Sequence, residues 1–317
     1  MGVEEEYSAM DNDTVNLRNS LRCYFARDLN LTVTFSFMCV VCIGGLVGNG
    51  VVIWLLGFRL KRNPFTTYIL HLAVADFGVL ITIPLMYIIE CFVTGISHTI
   101  FTLIVAPSVI QIMYSAGQFL LTTISIDRCV CVLFPLWYRC HRPKTLSIIL
   151  CAIIWLISFL VNVICIFLNA SVQFIYRSPV FYVFLMNAMV CLPLITISTL
   201  ILVIRICCKP KLRQQGKLLM AILLSLFFFL TLAFPMNVIL LINTVDWNSF
   251  FLNPYYLFLY GWLCTSLNSF VNPLIYFLVG RKKRDLCREN MKLILQRVFM
   301  EEEVRGVELE LKTQTLH

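Results

Sequence analysis

The chain has 317 residues, of which 60% are hydrophobic and 13% charged. Soluble domains run nearer about 45–50% apolar and about 25% charged, so that class is excluded and the chain reads as a polytopic membrane protein. Its net charge of +8 does not point to nucleic acid, because the basic residues flank apolar runs, where they meet anionic lipid.

The N-terminus opens Met1-Gly2-Val3-Glu4-Glu5-Glu6, without the basic and apolar regions of a signal peptide. The first apolar segment is therefore expected to act as its own insertion signal. Glu6 stands where a myristoylated Gly2 would need Ser or Thr. A membrane span takes about 20 apolar residues at helical rise, and seven such segments follow: 31–57, 65–89, 100–134, 145–168, 179–206, 217–243 and 254–279. The third is longer than a span requires, and its inner end is expected to project into the cytoplasm. Connections are short, with no soluble domain inserted. The expected organisation is an outer segment 1–30, a helical bundle 31–280, and an inner segment 281–317. Within the last, Leu286, Leu293, Ile294 and Val298 line one face at helical spacing among Lys and Arg. This pattern predicts a short amphipathic juxtamembrane eighth helix lying on lipid. Cys287 in it is either a palmitoylation site or a plain juxtamembrane thiol.

Lys and Arg set the orientation. With the N-terminus outside, all but four of the 25 fall in inner segments, the four being Arg18, Arg22, Arg27 and Arg177. The N-x-S/T triplets at Asn12, Asn30 and Asn169 all lie outside in this arrangement, as glycosylation requires. The 14 Cys do not read as a disulfide framework, since most lie inside apolar runs, where a thiol is a small apolar group. No Cys/His spacing fits a metal.

Polar residues inside spans mark function, because a charge at the bilayer centre costs roughly 2.5–3.5 kcal/mol. The first span holds Gly48-Asn49-Gly50, the second Asp76, and the seventh Asn268-Ser269 followed by Asn272-Pro273-Leu274-Ile275-Tyr276. Asp76 needs partners, and Asn49, Asn268, Ser269 and Asn272 supply them. Pro193, Pro235 and Pro273 free backbone carbonyls that neighbouring helices or water must satisfy. Asp127-Arg128-Cys129 closes the third span with two adjacent charges. A polar interior beside bent helices suits a bundle that moves between two states.

Together these residues resemble the rhodopsin-like (class A) G-protein-coupled receptors, and within them the Mas and Mas-related receptors. The family is carried by Phe58-Arg59-Leu60-Lys61-Arg62-Asn63-Pro64-Phe65-Thr66, by Ile126-Asp127-Arg128-Cys129, by Leu136-Trp137-Tyr138-Arg139-Cys140-His141-Arg142-Pro143-Lys144 and by Ile275-Tyr276-Phe277-Leu278-Val279-Gly280. The resemblance implies an all-α membrane protein, a seven-transmembrane helix bundle in the plasma membrane. It implies that an extracellular peptide or small cationic ligand shifts the bundle to activate a heterotrimeric G protein, of the Gq or Gi class, with arrestin as a further partner. Asp127, Arg128, Asn272, Pro273 and Tyr276 match its G-protein switch. Asp76, Asn268, Ser269 and Asn272 match a buried sodium site, with Gly117 in place of a serine ligand; a sodium ion or a water cluster fits equally. No other cofactor is expected.

Departures from the family sharpen the expectations. Leu103 replaces the third-helix Cys of the usual outer disulfide, and Asn169 replaces the fourth-helix Cys of the Mas-related one. A Cys23–Cys91 bridge is expected instead. Ala233 stands for the aromatic switch before Pro235, implying a shallow or differently coupled ligand site. Gln215 replaces the sixth-helix acid, so the restraint on Arg128 is expected to rest almost entirely on Asp127, with measurable ligand-independent signalling. For the ligand pocket, Glu90 is the one acid at the mouth, able to pair with a cation or simply solvated. Tyr114, Tyr182, Phe234, Tyr260 and Trp262 are expected to line the pocket.

Rival classes fit less well. A transporter would show repeated, interrupted half-helices, which are missing here; an ion-conducting role stays open from sequence. His71 and His98 are isolated, so no catalytic constellation forms and enzymatic activity is not expected.

Overall fold

The computed structural model describes residues 29–60, 63–92, 105–143, 145–171, 179–208, 221–232 and 254–280. All regular structure among them is helical. Helix α1 spans Leu29–Trp54 and runs into a π-helical turn, Leu55–Arg59. There the Leu60 N–H reaches back five residues to the Leu55 carbonyl at 2.9 Å. Helix α2 is Pro64–Phe92, α3 Ala106–Leu133, α4 the short Pro135–Cys140, α5 Leu146–Ser171 and α6 Pro179–Cys208. Residues 221–232 form α7, and Pro254–Gly280 forms α8. Each of the seven predicted spans therefore contains helix. Five of them are long and apolar enough within the described residues to cross a membrane, and Met189–Arg205 and Ala221–Leu232 are shorter apolar stretches. The predicted eighth helix, Cys287, Cys23, Asn12 and Gln215 lie outside the described residues.

Local chemistry explains where the helices begin. Asn63 caps α2 reciprocally with Thr66: its Oδ1 accepts the Thr66 N–H at 2.8 Å while its own N–H donates to Thr66 Oγ1 at 2.8 Å. Two of the donors a helix start leaves open are satisfied at once, and Pro64 at the first helical position has no donor to lose. Pro135 does the same for α4, after the helical path breaks at Phe134 (φ −127°, ψ 62°).

The burial pattern is that of a bundle in lipid. On α5 the polar Ser147, Ser158 and Asn162 are buried, while Ile148, Leu156, Phe159 and Leu160 face outward. Lipid offers no hydrophobic drive for helix association, so close packing and interhelical hydrogen bonds hold such bundles. Along α1, Gly44, Gly45 and Gly48 let other helices approach. A Cβ on Gly48 would stand 2.9 Å from the Pro273 ring, one on Gly44 would stand 3.0 Å from Phe270, and one on Gly45 would stand 2.7 Å from Leu80.

Candidate functional site

The approach of α1 to α8 places two polar groups where a proline needs them. Pro273 has no N–H, so the carbonyl one turn earlier, Ser269, loses its helical donor. Asn49 Nδ2 fills that gap, donating to the Ser269 carbonyl at 3.0 Å and to the Gly45 carbonyl at 3.0 Å. Asn272 then points its amide at α2 and donates to Asp76 Oδ2 at 2.8 Å. Asp76, Ser269 and Asn272 are buried, and Asn268 is half-buried. Asn272 and Ser269 are thus brought to Asp76, with a division of labour: Asn272 serves the carboxylate and Asn49 serves the backbone. Gly117 of α3 faces α2, with Ala75 Cβ and Leu72 Cδ1 each 3.9 Å from where its Cβ would be.

At the other end of α3 a charged cluster forms. Arg128 Nη2 lies 2.9 Å from Asp127 Oδ2, with side-chain exposures of 5% and 8%. The Arg128 guanidinium also covers the Phe65 ring of α2, 4.4 Å from its centroid, a contact worth about 0.5–2 kcal/mol depending on desolvation. The Tyr138 hydroxyl of α4 donates to Asp127 Oδ2 at 2.8 Å, and Arg128 Nη2 approaches the same hydroxyl at 3.3 Å. Burial pushes the Tyr138 phenol above its ordinary pKa range, so it stays a neutral donor. Arg142 Nη2 meets Asp127 Oδ1 at 2.7 Å and Ser147 Oγ at 2.9 Å. Asp127 is thus the ionic partner of Arg128 that the sequence led us to expect, and the structure adds non-ionic contacts to it. Phe65 shares the hold, and Asp127 is itself shared with Tyr138 and Arg142. Phe65 sits on α2, Tyr138 on α4 and Arg142 in the link between α4 and α5, so sequence adjacency could expose only the Asp127–Arg128 pair.

The pocket residues are placed in part. Tyr114 is buried with Met38, Val79, Leu80, Tyr87 and Leu259, and Trp262 packs against that group. Tyr260 stands apart at 45% exposure, because two residues along α8 turn it well away from Trp262. Glu90, Cys91, Asn169 and Tyr182 lie in helical backbone, and Asn30 opens α1; nothing is described of their side chains, and Phe234 lies outside the described residues.

Two further features went unread in the sequence. Trp155 Nε1 donates to His71 Nδ1 at 3.1 Å, tying α5 to α2. Gln111, Ser115, Gln118, Thr122 and Ser125 form a buried polar stripe down α3, whose helical spacing of four and three was legible in the chain. Among the described residues no group of His, Cys, Asp and Glu could hold a metal ion.

Residues 48–276 match the family model of the 7 transmembrane receptor (rhodopsin family). The chain belongs to that family. It is 37% identical over 265 residues to the rat (Rattus norvegicus) Proto-oncogene Mas, covering 81% of each chain. It is 39% identical over 285 residues to the rat Mas-related G-protein coupled receptor member H, covering 85% of this chain and 84% of the relative. It is 34% identical over 294 residues to the human (Homo sapiens) Mas-related G-protein coupled receptor member X1, covering 90% and 88%. The protein is a G-protein-coupled receptor of the Mas and Mas-related group, a multi-pass plasma-membrane receptor and not an enzyme. It responds to an extracellular ligand and couples to a G protein. The transporter alternative finds no support.

Proposed function

We propose that ligand binding at the outer end of the bundle releases Arg128 from Asp127 and Phe65 to engage a heterotrimeric G protein of the Gq or Gi class. Arrestin is a second inner partner. The observation that carries this reading is the near-complete burial of the Arg128 side chain at 5% exposure, between a carboxylate and an aromatic face at the last turns of α3. A group held in that way contributes to one state and is withheld from a partner until the bundle shifts. Asn272, Pro273 and Tyr276 lie on the helix that would move with it, and Tyr276 is buried. A ligand need only bind one of two such states better to shift the population.

On this reading residues 1–30 are extracellular, with Asn12, Asn30 and Asn169 as glycan acceptors and Cys23 paired to Cys91. Residues 281–317 are cytoplasmic, with the amphipathic helix and Cys287 on the lipid surface. The ligand is a peptide or small cationic molecule, met by Glu90 and by Tyr114, Tyr182, Phe234, Tyr260 and Trp262. The cluster of Asp76, Asn268, Ser269 and Asn272 holds a sodium ion or water, and the all-oxygen donor chemistry suits a hard cation. The test is a calcium and cAMP readout of a cationic peptide library in cells expressing the receptor. Hits are expected that lose response in Arg128→Gln at equal surface level. Hits that signal unchanged through Arg128→Gln would refute the reading.

A further inference from the structure

Asp127 divides its two oxygens between two arginines. Oδ2 takes Arg128 at 2.9 Å and the Tyr138 hydroxyl at 2.8 Å, whereas Oδ1 takes Arg142 at 2.7 Å. The Asp127 and Arg142 side chains are 8% and 6% exposed. Arg142 also has an anchor that Arg128 does not touch. Its Nη2 also reaches Ser147 Oγ at 2.9 Å in the opening turn of α5, and its guanidinium covers the Tyr138 ring at 4.8 Å. Departure of Arg128 would leave Arg142 its contacts with Asp127 Oδ1 and Ser147.

This matters because withdrawing one member of a buried ion pair strands the other, which is strongly destabilising. If Asp127 had Arg128 as its sole cation, release of Arg128 would leave a desolvated carboxylate facing one phenol. With Arg142 on Oδ1 the carboxylate stays paired through the change. We propose that Arg142 is a positioning residue for signal transduction: by holding Asp127 in both states, it makes Arg128 releasable. The inference rests on Arg128 being the moving group. Its sign is opposite to that of a simple fastening. Loss of Arg142 tightens the hold on Arg128 and lowers signalling, whereas loss of a fastening would raise it.

The test is basal G-protein activation by the full-length receptor in cells, normalised to surface receptor, with no ligand added. Arg142→Gln is expected to lower basal output by about tenfold or more, the scale on which an unpaired buried charge acts. Arg142→Lys should recover most of that loss. Both Arg142 hydrogen bonds leave from a single nitrogen, a role an ammonium with three donors can fill. Ser147→Ala, which removes one anchor, should lower output more mildly. The decisive variant is the double change Asp127→Asn with Arg142→Gln. It leaves no carboxylate to strand and should restore output to that of Asp127→Asn alone, which a merely structural Arg142 would not allow. A rise in basal output in Arg142→Gln or Ser147→Ala, or a double variant as silent as Arg142→Gln, would overturn the proposal. Basal output in Arg128→Gln equal to that of the parent receptor would instead overturn the reading of Arg128 as the moving group.

Discussion

Gly48 allows a sharp test of the contact between α1 and α8. An added Cβ there would stand 2.9 Å from Pro273 Cγ and 3.1 Å from Pro273 Cβ, closer than carbon atoms settle. The obstacle is a proline ring, which has no rotamer to escape into, so the helices themselves must separate. Overpacking of this kind costs about 1–3 kcal/mol. Separation also strains the Asn49 bond to the Ser269 carbonyl, now 3.0 Å, and a buried carbonyl left without its donor costs a further ~1–3 kcal/mol. Gly48→Ala is therefore expected to lose about 2–6 kcal/mol, taken as the sum of those two ranges, less whatever relaxation recovers. The chain carries its own reporters, since Cys42, Cys129, Cys151 and Cys191 are free and buried. A thiol-reactive fluorogenic dye on detergent-solubilised receptor would follow their exposure on heating. Gly57→Ala is the control, because nothing lies within 4 Å of its Cβ position. Because the two costs share one contact, Asn49→Ala combined with Gly48→Ala should lose less than the two single losses added. A melting midpoint for Gly48→Ala equal to that of Gly57→Ala would refute the reasoning.

Other outcomes follow from the same geometry. Gly117→Ser places its Cβ at ordinary contact distance, 3.9 Å from Ala75 and Leu72, and adds a hydroxyl facing the helix that carries Asp76. Sodium is expected to reduce agonist potency more in Gly117→Ser than in the parent receptor, in parallel titrations against a large organic cation; identical sodium responses would discard this assignment. Trp155→Phe removes the N–H donated to His71 and should cost about 0.5–1.5 kcal/mol, seen as a small drop in the same melting assay. No drop would mean that this bond contributes nothing net. Glu90→Lys should weaken a cationic agonist by tenfold or more while sparing a neutral one, on the scale of about 1.4 kcal/mol for a lost charge contact; equal potency on both would remove Glu90 from the pocket.

The sequence alone determined the membrane class, the seven apolar segments and the positions of Asp76, Asn272 and the Asp127–Arg128 pair. Those properties are written in composition, in runs of about 20 apolar residues and in polar residues placed where lipid makes them costly. It also carried the family, through motifs that need no coordinates to read. Only the tertiary structure decided who partners whom. Asn49 could have served Asp76 directly; the close passage of α8 over Gly48 gives it to the Ser269 carbonyl instead. Asp127 and Arg142 are 15 residues apart, on either side of the break at Phe134 and the short helix α4, and no periodicity links them. Phe65 reaches Arg128 only because α2 packs against α3. Hydropathy is a property of each residue and survives in one dimension. Charge pairing depends on the distances between helices, and these are fixed only when the small residues, prolines and helix breaks of the whole bundle are satisfied together.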